Sequence, residues 1–162
     1  MATEKKTTEE EKVKTSKNEK KPYVFAVGRR REAVARVRLY EDIKTGVVWK
    51  DAIVKKGEVY INEKPANVYF SLKAQEGVYL APLKAANVLD RFITTIRVEG
   101  GGMTGQLDAT VLGIARALEK IDPQFRPILK KKGFLTRDSR TRQRRNVGMG
   151  GKARRKKQSP KR

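Results

Sequence analysis

Arginine is the side chain through which this sequence has most chemistry to offer. Arg29, Arg30 and Arg31 stand in a row, and Arg36 and Arg38 follow at alternate positions. Arg137, Arg140, Arg142, Arg144, Arg145, Arg154 and Arg155 crowd the far end of the chain, with Lys152 among them. A guanidinium stays charged at any physiological pH and offers a planar fork of N–H donors, so it grips phosphate oxygens in pairs. The groups that usually make and break bonds are missing. With no histidine and no cysteine, the chain lacks the usual general base near neutral pH, the usual zinc ligands, a thiolate nucleophile and any disulfide. The residues point to holding a polyanion, with no catalysis and no cofactor.

One other pattern resembles a chemical motif. Gly100, Gly102 and Gly105 spell G-x-G-x-x-G, the spacing of a dinucleotide-binding turn. That turn needs a second parallel strand carrying an acid about twenty residues on. Here the acid at that distance is Asp122, which belongs to a turn before Pro123 and Pro127. The glycines are read instead as a tight turn, in which Gly101 and Gly102 let the backbone approach an RNA phosphate at a helix N-terminus.

Charge is partitioned along the chain. Residues 130–162 hold fifteen Lys and Arg against Asp138 alone, a net of +14 out of the whole chain's +21. Residues 1–21 carry a net of +2 and residues 22–129 a net of +5. A one-sign segment this dense repels itself and becomes ordered only against a polyanion. A solvated surface would mix both signs. A membrane anchor would need an amphipathic stripe, which Phe134, Leu135, Val147 and Met149 do not form. The sequence thus divides into a disordered N-terminal extension (1–21, with a short exposed helix as the alternative), a globular domain (22–129) and an extended basic tail (130–162). The extension has no apolar core of a signal peptide, and its five Glu suit an organellar transit peptide poorly. No apolar run is long enough to cross a membrane.

The elements that must position these arginines are legible by period. Ala33, Ala35, Val37 and Leu39 alternate with Arg36 and Arg38, a strand with one apolar and one basic face. Gly28 just before it suggests a bend or bulge. Taken alone, the arginine triplet is equally a solvated strand end. Beside Arg36 and Arg38 it reads better as a phosphate-contacting edge. A second strand spans residues 57–64 with Val59 and Ile61 inward. The stretch between the two strands, with Gly46 and Trp49, suits a hairpin extending the sheet, Trp49 serving as a packing residue. Pro65 and Pro82 mark the first turns of two helices. Phe92, Thr94, Ile96 and Val98 alternate as a third strand. Leu107, Val111, Ile114, Ala115, Leu118 and Ile121 form the apolar stripe of a long helix, with Asp108 in its first turn and Lys120 near its end matching the helix dipole. The expected order is β–β–α–α–β–α, an α+β domain with helices packed on one face of a small sheet.

Four stretches carry a family resemblance in order: VGRRREAVARV, GEVYINEKPANVYF, GGGMTGQLDATVLGIARAL and the tail from KKKGFLTRDSR onward. Together they resemble the ninth protein of the bacterial small ribosomal subunit over most of residues 24–162. The resemblance implies a ribosomal fold with a left-handed β-α-β unit and a cytoplasmic place in the head of the small subunit. It implies contact with ribosomal RNA and with neighbouring ribosomal proteins. It sets Arg137, Arg140, Arg142, Arg144, Arg145, Lys152, Arg154 and Arg155 where the tail crosses RNA. It sets Lys161 and Arg162 beside the transfer RNA in the peptidyl site. An extended tail of about 30 residues reaches roughly 100 Å, enough to thread between RNA helices. Residues 1–21, the long segment 41–56, the stretch NVGMGGKARR and Pro160 depart from the family pattern. Two readings from other classes stand beside it: a histone-like DNA-binding protein, and a nucleotide-dependent enzyme built on the glycine turn.

Overall fold

The computed structural model describes residues 22–41, 43, 46–49, 52–145 and 147. Among these residues seven strands and four helices follow in the order β1 (Val24–Arg30), β2 (Ala33–Tyr40), β3 (Val47–Trp49), β4 (Ala52–Val54), β5 (Val59–Ile61), β6 (Lys64–Pro65), α1 (Ala66–Tyr69), α2 (Lys73–Ala85), β7 (Ile93–Glu99), α3 (Met103–Ile121) and α4 (Phe125–Lys131). Five strands form one sheet in the order β1-β2-β7-β5-β6, and β3 pairs with β4 in a separate two-stranded sheet. The β5–β7 pair is parallel, so α1 and α2 form its crossover, and the other pairs are antiparallel. The architecture is α+β with a small sheet, as the periodicity predicts.

Alternation decides which face is buried. Ala33, Ala35, Val37 and Leu39 of β2 are sealed in the core together with Ile96 and Val98 of β7 and Ala109, Ile114, Ala115, Ala117 and Leu118 of α3. Helix α3 lies along β1 and β2 on one side and against α2 and α4 on the others, so its expected stripe widens almost to a full circumference. Val111, expected in that stripe, is only half-buried. Among the described residues, the opposite sheet face is covered at one end. There the β3–β4 hairpin closes a second cluster around Tyr40, Val54 and Ile93, packed by Val47, Trp49 and Tyr60. The hairpin is therefore a cover of its own, not an extension of the sheet.

Several expectations are corrected by packing. Gly28 is no bend: it lies inside β1, where a Cβ would collide with the Ala109 carbonyl and the Gly113 backbone. On α3, a Cβ at Gly113 would stand 2.6 Å from the Val37 Cγ2. Two facing glycines let helix and strand touch backbone to backbone. The turn that Gly28 was expected to make falls instead at Arg31 and Glu32, with Arg31 in the left-handed region at φ 52°. Pro82 does not start a helix but lies inside the last turns of α2, which ends with Asn87 at φ 55°. Pro65 precedes α1 by one residue, as its cap. Asp108 sits one turn deeper in α3 than the dipole argument needs.

The third helix of the order has a successor. Pro127 falls in the first turn of α4, where no N–H is required of it. Gly133 ends α4 at φ 79°, with its N–H donating to Lys130 O at 3.0 Å and that of Phe134 to Leu129 O at 3.0 Å. This paired Schellman closure brings Phe134 back toward Leu129, which is fully buried. Phe134 and Leu135 both pack on the main core. The chain thus follows the body across the expected boundary at residues 129–130.

Candidate nucleic-acid interface

The tip of the β1–β2 hairpin and the root of the basic tail meet at Arg30. Its side chain, 12% exposed, has Nη2 2.9 Å from Asp138 Oδ2 and Nε 3.5 Å from Asp108 Oδ2. Its Nη1 donates to the Arg140 carbonyl at 2.8 Å. Asp138 also accepts from Arg140 through the backbone N–H at 2.9 Å and through the guanidinium at 2.7–3.1 Å. The Arg140 side chain, then its backbone N–H, then the charges of Arg140 and Arg30 hold the Asp138 carboxyl far below the usual aspartate range. One carboxylate thus neutralises part of two guanidiniums and ties residues 138–140 to the strand tip. Arg30, expected on the phosphate-contacting edge, is engaged inside the protein. Arg29 and Arg31 on either side of it expose their side chains, as do Arg137, Arg140, Arg142 and Arg144. Arg145 is exposed and has a partner of its own.

The glycine turn lies on the same tip. Gly100 and Gly101 take φ 73° and 63°, two successive left-handed residues that only glycine adopts cheaply. A Cβ on Gly101 would stand 3.0 Å from the Ala33 backbone N, so the turn is also pressed against the β1–β2 hairpin. Gly102, the α3 N-cap, has nothing within 4 Å of where a Cβ would stand and supplies no side-chain cap. The first residues of this nineteen-residue helix, Met103–Gly105, line a space together with Arg31 and Arg142. No strand follows α3 among the described residues, so the dinucleotide-binding arrangement is absent there.

Arg36 and Arg38 occupy the sheet face opposite α3. Arg36 stands directly across from Arg97 in the β2–β7 register, a like-charge pair that disfavours the bare sheet. Glu99 Oε1 relieves it, 3.3 Å from Arg36 Nη1 and 2.9 Å from Arg97 Nε. Arg38 is held differently, its guanidinium 4.9 Å from the Tyr23 ring centre and 5.3 Å from that of Trp49. Trp49 packs in the hairpin cluster, as expected. Arg97 was not among the expected residues. Its signal was present: it falls on the strand positions complementary to Thr94, Ile96 and Val98. At the sheet's outer edge, Lys120 Nζ and Arg116 Nη1 donate to the β1 carbonyls of Phe25 and Val27 at 2.8 and 2.9 Å. These bonds blunt an edge that another strand would otherwise pair with.

Among the described residues no group of acidic side chains could hold a metal ion, and no helix is long and apolar enough to cross a membrane. Lys152, Arg154, Arg155, Lys161, Arg162 and the extension 1–21 lie outside the described residues. Both exposed arginine groups, at the strand tip and at the tail root, fall within residues 28–162, which match the family described as Ribosomal protein S9/S16. The chain belongs to the ribosomal protein S9 family. The small ribosomal subunit protein uS9 of Maridesulfovibrio salexigens is 41% identical over 131 residues, covering 81% of this chain and 91% of that protein. The uS9 of Trichormus variabilis is 40% identical over 126 residues, 77% of this chain and 82% of its own length. That of Crocosphaera subtropica is 37% identical over 142 residues, covering 85% and 91%. As an S9 protein the chain is a structural component of the small ribosomal subunit in the cytoplasm, and not an enzyme.

Proposed function

We propose that this S9 protein binds small-subunit ribosomal RNA through the strand tip and the tail, and that the tail runs on to the transfer RNA in the peptidyl site. The observation that carries the reading is the Arg30 junction. By fixing residues 138–140 to the β1–β2 tip, it holds the exposed Arg140 and Arg142 of the tail root close to Arg31 and the glycine turn. Phosphates packed there would be met by Arg31, Arg137, Arg140, Arg142, Arg144 and Arg145 and by the backbone at Gly101 and Gly102, and on the sheet face opposite α3 by Arg29, Arg36 and Arg38. Lys152, Arg154 and Arg155 extend the contact, and Lys161 and Arg162 reach the transfer RNA backbone. On this reading α1 and α2 make the left-handed crossover of the family, and neighbouring small-subunit proteins share the surface that RNA leaves free.

The test is reconstitution of small subunits with a chain lacking Lys161 and Arg162, followed by titration of several transfer RNAs into the peptidyl site. Incorporation should be unchanged, because two charges of 39 basic residues matter little to assembly. Affinity should fall alike for every transfer RNA, by about threefold to tenfold, because a charge-assisted contact to backbone reads no sequence. Unaltered binding of all of them would remove the transfer RNA contact. Protection of ribosomal RNA from hydroxyl radicals, lost on replacing Arg29 and Arg31 with alanine, checks the other half.

A further inference from the structure

The sheet face opposite α3 holds more than a patch of charge. Between it and the β3–β4 hairpin lies a cleft of about 690 Å³, within the range of sites that hold small ligands. Phe25 lies directly across from Arg38 in the β1–β2 register and keeps 42% of its surface in water. The Arg38 guanidinium is already taken up by the rings of Tyr23 and Trp49. One strand pair further along, Arg36 and Arg97 flank Glu99, with side chains half to two-thirds exposed. They meet the same carboxylate oxygen, and each keeps further N–H donors for another acceptor.

An apolar ring, a guanidinium held by two aromatic rings, two forked cations and the carboxylates of Glu63 and Glu99 make a mixed wall. The phosphate backbone of an RNA duplex would use only the cations. A single phosphate ion would leave the ring in water. A nucleotide out of its stack uses ring and cations together: base on Phe25 and, one row along the sheet, phosphate on Arg36 and Arg97. We propose that this cleft binds an unstacked nucleotide of single-stranded RNA, so that the sheet reads a loop or bulge while the strand tip and tail hold backbone. The inference rests on the RNA-binding reading above and assigns Phe25 and Arg97 to it.

Trp49 lines the cleft and is the only tryptophan of the chain, so its emission reports on this place alone. The experiment titrates the full chain with a short single-stranded RNA of mixed sequence, with a duplex of the same composition and with polyglutamate, while labelled RNA measures total binding independently. Single-stranded RNA should change Trp49 emission saturably, and Phe25→Ala and Arg97→Ala should each raise the midpoint by about fivefold or more. RNA that binds without touching Trp49 emission would overturn the cleft and leave the tail reading intact. An equal change with duplex or with polyglutamate, insensitive to Phe25→Ala, would reduce the cleft to a simple anion patch and overturn the proposal as well. Absence of any RNA binding would overturn both readings together.

Discussion

Asp138 is the single acid in a segment of fifteen bases, and its carboxylate is where the tail begins to have a direction. Arg140 and Arg30 depress its ionisation far below the ordinary aspartate range. A carboxyl depressed on folding supports the native contact at every pH above its unfolded range and loses that support only as pH falls through the depressed value. Acidification from neutral to about pH 4 should therefore leave the junction intact. A carboxyl-carbon NMR titration should place the Asp138 inflection below those of the other aspartates. Asp138→Asn removes the charge at all pH values, and amide exchange at Arg140, whose N–H bonds that carboxylate, should quicken several-fold while α3 keeps its protection. The junction was invisible in the sequence, where Arg30 looks like its two neighbours. Only the strand's alternation, combined with a tail that folds back 110 residues later, separates Arg30 from Arg29 and Arg31.

At the scale of elements, strand alternation was the most legible signal, because the faces of β2 and β7 differ so sharply in polarity. Helix boundaries near proline were the least legible. Pro82 and Pro127 both read as starts or stops, yet one lies in the last turns of α2 and the other in the first turn of α4. Three lysines followed by Gly133 and Phe134 were a C-terminal signal that could have disclosed α4. At Gly133 nothing lies within reach of a Cβ, so Gly133→Ala costs only its left-handed backbone. A loss of about 1–2 kcal/mol is expected from that strain, and Gly133→Asn should cost less; urea midpoints would check both. The glycine pair between β1 and α3 behaves differently. Gly113→Ala presses on a side chain of Val37 and should cost about 1–3 kcal/mol. Gly28→Ala meets the α3 backbone itself and should be the more damaging of the two, to the point of losing the cooperative melt. Equal costs would mean that α3 can slide off β1.

For the whole molecule, the division of charge between body and tail sets how binding responds to salt. With +14 of the +21 in residues 130–162, most displaced counterions belong to the tail. Each neutralised phosphate adds about −0.7 to the slope of log affinity against log salt on single strands, and about −0.9 on a B-form duplex. A chain ending at residue 145 gives up seven basic residues, so its slope should flatten by several units while Trp49 emission reports an unchanged body. An unchanged slope would shift the electrostatic grip to the hairpin tip and the sheet. The strand order carries a different consequence, one of timing. Strand β2 lies between β1 and β7, and the apolar side of that hairpin is covered by α3. While the chain is being made, the hairpin finished at Tyr40 must wait for Ile121, about 80 residues later, with its alanines and valines bare. At about 5–20 residues per second that interval lasts roughly 4–16 s. Nascent chains halted before Met103 should therefore be cut readily by protease, and those halted well past Ile121 should resist, so that a slow codon between the two would prolong the one period when this protein can aggregate.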